Sequence, residues 1–171
     1  MKSSLKISLA KLFTRKEAVI LSGLTMNQVI KLEQKNLIVP QRQPIRYTWN
    51  QIVKLRVIYY ARQMLSLQLI TDELASFCKT DIHISNYEVV GIMNEKGIFV
   101  GNLDMVSMEL GLTLQRDGVV TRGQTALNVN GEAVVTDYTM ILMKKIVAEI
   151  FDTANKKGIE NLLDRVEYAS A

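Results

Sequence analysis

Apolar positions recur at helical spacing in three short runs near the start of the chain, and each run opens on the same polar signal. Thr14 stands three residues before Glu17, Thr25 before Gln28, and Thr48 before Gln51. In this spacing the threonine side chain can accept from a backbone N–H one turn in, while the acid or amide reaches back to the threonine N–H. The pattern predicts a first helix over about 15–21, with Ala18, Val19 and Leu21 facing inward. Ser22-Gly23-Leu24 then makes a tight turn, where Gly23 can take a positive φ. A second helix follows from Thr25 to about Lys35. Its Val29 and Leu32 face a core, and Asn27, Gln28, Lys31, Gln34 and Lys35 fall largely on the other sides. Two short helices joined by a glycine turn form a helix-turn-helix unit.

Beyond Asn36 the period changes. Leu37-Ile38-Val39 suits a short strand stopped by Pro40, 41–44 is a polar turn, and Ile45-Arg46-Tyr47 can return as a second strand. The result would be a small hairpin wing with arginines near its tip. A third helix opens at Thr48 and carries Ile52, Leu55, Tyr59 and Arg62 to about Met64. A fourth is expected from Ser66 to about Phe77, with Leu67, Ile70 and Leu74 at helical spacing.

The second half reads differently. Segments 87–93 and 98–100 flank Asn94-Glu95-Lys96-Gly97, and segments 126–129 and 132–136 flank Asn130-Gly131, the stronger two-residue hairpin signal. Residues 105–114 fit helix or strand. From about Tyr138 to Asn155 a helical pattern brings Ile141, Leu142, Ile146, Val147, Ile150 and Phe151 to one wide apolar face. That face needs a cover, either its own sheet or a second copy of the chain. Gly158 is a credible stop, and a short final helix fits 160–168. The expected fold class is therefore α+β, with a winged helix-turn-helix domain over 1–80 and a small α+β module over 81–171.

Charge sharpens this division. The chain of 171 residues has a net charge of +4. Residues 1–80 hold 13 Lys and Arg against 4 Asp and Glu, whereas 81–171 hold 8 against 13. A basic segment beside an acidic one suggests that the first meets a polyanion. No apolar run reaches the roughly 18 residues that span a bilayer, and the apolar stretch near the start is short for a secretory leader, so a cytoplasmic protein away from the membrane is expected.

The order helix, turn, helix, wing, helix, helix resembles the N-terminal domain of the MerR family of transcription regulators over about 65 residues. Leu37 followed by Pro40 is similar to the family's Gly-Leu-x-x-Pro exit from the second helix, with Asn36 at the glycine. Arg46-Tyr47-Thr48-x-x-Gln51-Ile52 resembles its Arg-Tyr-Ser-x-x-Asp-Leu signature, and Ser66-Leu67-x-x-Ile70 its Ser-Leu-x-x-Ile. Glu33 stands where the family commonly has a glutamate. The chain departs from the family where Arg-Tyr-Tyr-Glu is usual, reading Ile30-Lys31-Leu32-Glu33, and the long dimerisation helix does not follow. A divergent branch, or a relative such as an excisionase, fits those departures.

A domain of this kind puts its second helix in the major groove, where amides and cations read base edges. Asn27, Gln28 and Lys31 are the candidates for that role. Arg42 and Arg46 on the wing, with Arg15 and Lys54, are candidates for phosphates, which set register without reading sequence. Tyr47 can reach a phosphate through its hydroxyl or sit half-buried at the wing base, and Trp49 is expected to pack between helix and wing. The resemblance implies a homodimer on double-stranded DNA, acting on the transcription machinery. Architectural DNA binding and a protein-interaction adaptor are the other readings.

Little in the sequence suggests catalysis. His83 lies in an apolar setting, and Cys78, the only cysteine, follows an apolar helix face. Asp72-Glu73 and Asp152 lack a histidine at ligand spacing. Gly118 and Gly123 lack the Lys-Ser/Thr of a phosphate loop. No enzyme activity, cofactor or metal is expected.

Overall fold

The computed structural model of the chain describes residues 9–63, 89–93, 98–101, 120–129 and 131–170. The expected fourth helix, Cys78, His83, the segment 105–114 and the turn at 94–97 lie outside them. The described residues form five helices, labelled α1 (Arg15–Ser22), α2 (Met26–Gln34), α3 (Trp49–Ala61), α4 (Met143–Lys157) and α5 (Leu162–Ser170). They also form four strands, β1 (Val89–Met93), β2 (Ile98–Gly101), β3 (Val120–Val129) and β4 (Glu132–Leu142).

All three capping boxes are present. Glu17 N donates to Thr14 Oγ1 (3.2 Å) and Thr14 N to Glu17 Oε2 (2.8 Å). Thr25 with Gln28 and Thr48 with Gln51 repeat the exchange. Each box occupies two donors that a helix N-terminus otherwise leaves open. Gly23 ends α1 at φ 79°. A Cβ there would lie 2.8 Å from Arg56 Nη1 and 3.2 Å from the Tyr59 ring, so both the backbone and the space call for glycine.

The segment after α2 differs from the expected hairpin. Asn36 takes φ 54°, the left-handed conformation of a helix exit. Leu37 N and Ile38 N then both donate to Leu32 O. Those amides close the helix and are not available to a strand ladder. Leu37-Ile38-Val39 is thus no strand, and Leu37 and Ile38 are buried beneath α2. Only single bridges remain, Gln41 with Arg46 and Phe13 with Tyr47.

The sheet is antiparallel throughout, in the order β2-β1-β4-β3. β3 and β4 form a ten-pair ladder that ends at Val129 opposite Glu132, and Gly131 takes φ 83° in the intervening turn. β1 pairs with β2 and with β4, so β4 lies inside the sheet. This position extends β4 well past Thr136. Residues 138–142, expected as the first turn of the long helix, belong to the strand, since Met93 to Val89 pair with Tyr138 to Leu142. α4 therefore starts at Met143, directly after β4 and with no linker, and ends at Gly158 (φ 68°) as expected.

The apolar face of α4 finds a cover that was not expected, the helices of the N-terminal segment. Ile146, Ile150 and Ala154, spaced i, i+4, i+8, join one buried cluster with Phe13, Ala18, Leu21, Trp49, Ile52 and Val57. α4 packs on α1 and α3, while α5 packs on α3 and on the short 3-10 turn Leu9–Lys11. The two ends of the chain thus share one core, which bridges the expected division at residue 80. Trp49 packs between Phe13 and Phe151, with centroids at 6.3 and 6.1 Å.

Candidate nucleic-acid interface

α2 owes its orientation to Val29, Leu32 and Glu33, which are buried. The opposite side carries Asn27 and Lys31, four residues apart and both exposed, followed by Gln34 and Lys35. The candidates Asn27 and Lys31 thus share one solvent-facing side. Gln28 differs, because its Oε1 accepts from Thr25 N at 2.9 Å. Its amide would have to leave the capping box to pair with adenine.

Residues 41–46 follow as a closed loop. Gln41 and Arg46 exchange both backbone hydrogen bonds at 2.9 Å, and Gln51 Nε2 donates to Val39 O at 2.7 Å, tying the loop base to α3. Arg42 is exposed at the tip. Arg46 is half-buried, with Nη1 donating to its neighbour Ile45 O at 2.9 Å. Both keep guanidinium N–H groups in excess of these bonds.

Arg15, Glu33 and Tyr47 come together beneath this surface. Arg15 Nη2 lies 2.6 Å from Glu33 Oε2, its Nε donates to Glu33 Oε1 (3.1 Å) and to the Tyr47 hydroxyl (3.4 Å), and Tyr47 donates to Glu33 Oε1. Glu33, and then Tyr47, hold the Arg15 charge still more firmly than usual. Glu33 is the only acid between Thr25 and Thr48, and its charge is matched here. Between Thr25 and Thr48 the chain therefore presents its cations with no other carboxylate of its own.

Three phosphate candidates change role. Arg15 is engaged as a bidentate partner of Glu33. Tyr47 is fully buried, neither at a phosphate nor half-buried. Lys54 is 4% exposed, because α3 is covered by α1 on one side and by α4 and α5 elsewhere. The sequence reading placed Lys54 among the phosphate contacts. A better signal was the nearly continuous apolar run Ile52-Val53-Lys54-Leu55-Arg56-Val57-Ile58, which is apolar on more than one face and marks an enclosed helix.

Burial, and then the Glu33 hydrogen bond, push the Tyr47 hydroxyl up to about 12. Burial and Glu149 do the same to Tyr60, also to about 12. Both folded values lie above the ordinary tyrosine value of about 10. The stability they contribute is complete below that ordinary value and is lost as pH rises through the folded values. We expect the urea midpoint to fall between about pH 10 and 12, and to fall less in the Tyr47→Phe/Tyr60→Phe protein. An equal decline in both proteins would refute these assignments.

Two further ion pairs, not foreseen from the sequence, tie the C-terminal helices to this unit. Arg165 Nη1 and Nη2 donate to Glu17 Oε1 and Oε2 at 3.0 and 2.9 Å. Nη2 also reaches Leu12 O at 2.7 Å, and the guanidinium lies 3.8 Å over the Phe13 ring. On α3, Arg56 Nη2 donates to Glu149 Oε2 at 2.8 Å, and Tyr60 donates to the same oxygen. Among the described residues, no group of three or more His, Cys, Asp and Glu gathers as a metal site, and no helix is long and apolar enough to cross a membrane. No protein-family model matches the chain, and no curated protein matches it either.

Proposed function

We propose that the chain is a DNA-binding regulator of transcription and not an enzyme, with residues 14–62 acting as a winged helix-turn-helix reading head. α2 enters the major groove, and the loop 41–46 acts as the wing along the backbone. The observation that carries this reading is the exposed side of Asn27, Lys31 and Arg42, while the one acid between Thr25 and Thr48, Glu33, is buried and matched by Arg15. A surface with amides and cations suits base edges and phosphates together. The resemblance of Arg46-Tyr47-Thr48 and Leu37…Pro40 to the MerR family adds support, as does the left-handed Asn36 at the family's glycine position. A dimer is part of the proposal, because two heads on adjacent half-sites give a spacing and affinity that one small head lacks.

The test neutralises Lys31, Arg42 and the half-buried Arg46 and leaves Arg15 and Lys54 alone. The protein Lys31→Gln/Arg42→Gln/Arg46→Gln should keep its thermal midpoint and lose duplex affinity. Its slope of log affinity against log salt should shallow by about 1 for each phosphate contact removed. Unchanged affinity and slope would show that these residues do not meet DNA.

A further inference from the structure

The turn between α1 and α2 borders a cleft of about 290 Å3, lined among others by Gly23, Leu24, Thr25, Gln28, Tyr59 and Arg62. Among the described residues, Arg62 is its only charged wall and no carboxylate lines it. Arg62 is also unlike the other arginines of the helices. Arg15, Arg56 and Arg165 are each held by a glutamate, at 2.6, 2.8 and 2.9 Å. The Arg62 guanidinium makes no side-chain hydrogen bond among the described residues, and its Nη1 is closed off from solvent without an acceptor.

Among the described residues the partly exposed remainder of that guanidinium meets neither a counter-charge nor an acceptor, and an oxyanion reaching it from the cleft supplies the two together. A neutral carbonyl would supply only the second. The remaining walls agree with an anion. The cleft includes Thr25 and Gln28 at the opening of α2, a helix end with no acid in its first turn and a positive partial charge.

We infer that this cleft binds a phosphate group, specifically a backbone phosphate of the duplex that α2 enters, with Arg62 as its principal ligand. The inference rests on the DNA-binding reading. It adds a contact at the opening of the reading helix, set apart from the wing arginines and absent from the candidates drawn from sequence. Because a phosphate contact reads no base, Arg62 would hold α2 in register without altering the motif chosen.

The test uses the full chain with Arg62→Gln and Arg62→Lys, in duplex binding measured across a salt series. We expect Arg62→Gln to bind more weakly at low salt, to reduce the salt slope by about 0.9, and to select the same sequences as the original protein. Arg62→Lys should recover most of the slope, and both variants should keep the original thermal midpoint. A normal slope in Arg62→Gln, with the original protein binding DNA, overturns the inference and leaves the function standing. Inorganic phosphate that binds through Arg62 while the duplex slope is unaffected overturns the assignment to DNA. Absence of any duplex binding by the original protein overturns both.

Discussion

Replacing Ile150 by alanine should destabilise the N-terminal helices, although the two segments are about ninety residues apart in sequence. Ile150 is fully buried, at the centre of the α4 face that covers α1 and α3. Truncating a buried isoleucine removes its transfer free energy and leaves a cavity, at a cost of about 2–5 kcal/mol. That is a large share of the stability of a small domain. Trp49, the only tryptophan in the chain, lies on α3 against Phe151 and reports directly on this shared core. Its fluorescence transition in urea should move to lower concentration together with the helical circular-dichroism signal. A Trp49 transition that stays in place while the helical signal shifts would mean that α4 and the N-terminal helices do not form one unit.

Arg165→Met should cost about 3 kcal/mol, the low end of the range for removing one partner of a buried pair, because Glu17 is 24% exposed. Arg165 is 7% exposed, and its loss leaves Glu17 without its counter-charge and Leu12 O without its side-chain donor. The pH dependence separates this from simple packing loss. Burial pushes the Glu17 carboxyl up, but the Arg165 hydrogen bonds, together with those of Thr14, bring it below its ordinary value. A depressed carboxyl gives stability that is present above its unfolded value and lost as pH falls through the folded one. The original protein should therefore lose stability on acidification through this group, and Arg165→Met should lose less. Adding Glu17→Gln to Arg165→Met should restore part of the cost, because no unmatched charge then stays half-buried. If Glu17→Gln/Arg165→Met is as unstable as the sum of the two single variants, the residues do not act as a pair.

Local structure near the start of the chain was legible because local rules govern it. Three Thr-x-x-Glu/Gln signals gave three helix starts, and Gly23 gave the turn between the first two. The same rules failed at Leu37-Ile38-Val39, where an apolar triplet looked like a strand but its amides were already committed to the end of α2. They failed again at 138–142, because the helical spacing of Ile141, Leu142 and Ile146 runs across a strand-to-helix junction. The partner of that strand, β1, is some fifty residues away, beyond the reach of periodicity.

The candidate interface divides along the same line. Asn27, Lys31 and Arg42 are exposed, as their places on one helix and one loop implied. Arg15, Tyr47 and Lys54 were misplaced because their surroundings are set by distant residues. Arg15 and Tyr47 converge on Glu33, and Lys54 is enclosed once the C-terminal helices close over α3. The resemblance to a family with glutamate at this position singles out Glu33, but not its two partners. Arg165 and Glu149 had no signal at all, since neither pairs with anything near it in sequence.

The most direct measurement of the central claim is retention of random duplex DNA by the purified protein at two salt concentrations, with sequencing of what is kept. The account predicts that retained duplexes share a two-fold symmetric motif and that retention falls steeply as salt rises. Salt-sensitive retention without a motif would contradict sequence-specific regulation and point to architectural binding. No retention even at low salt would contradict DNA binding altogether.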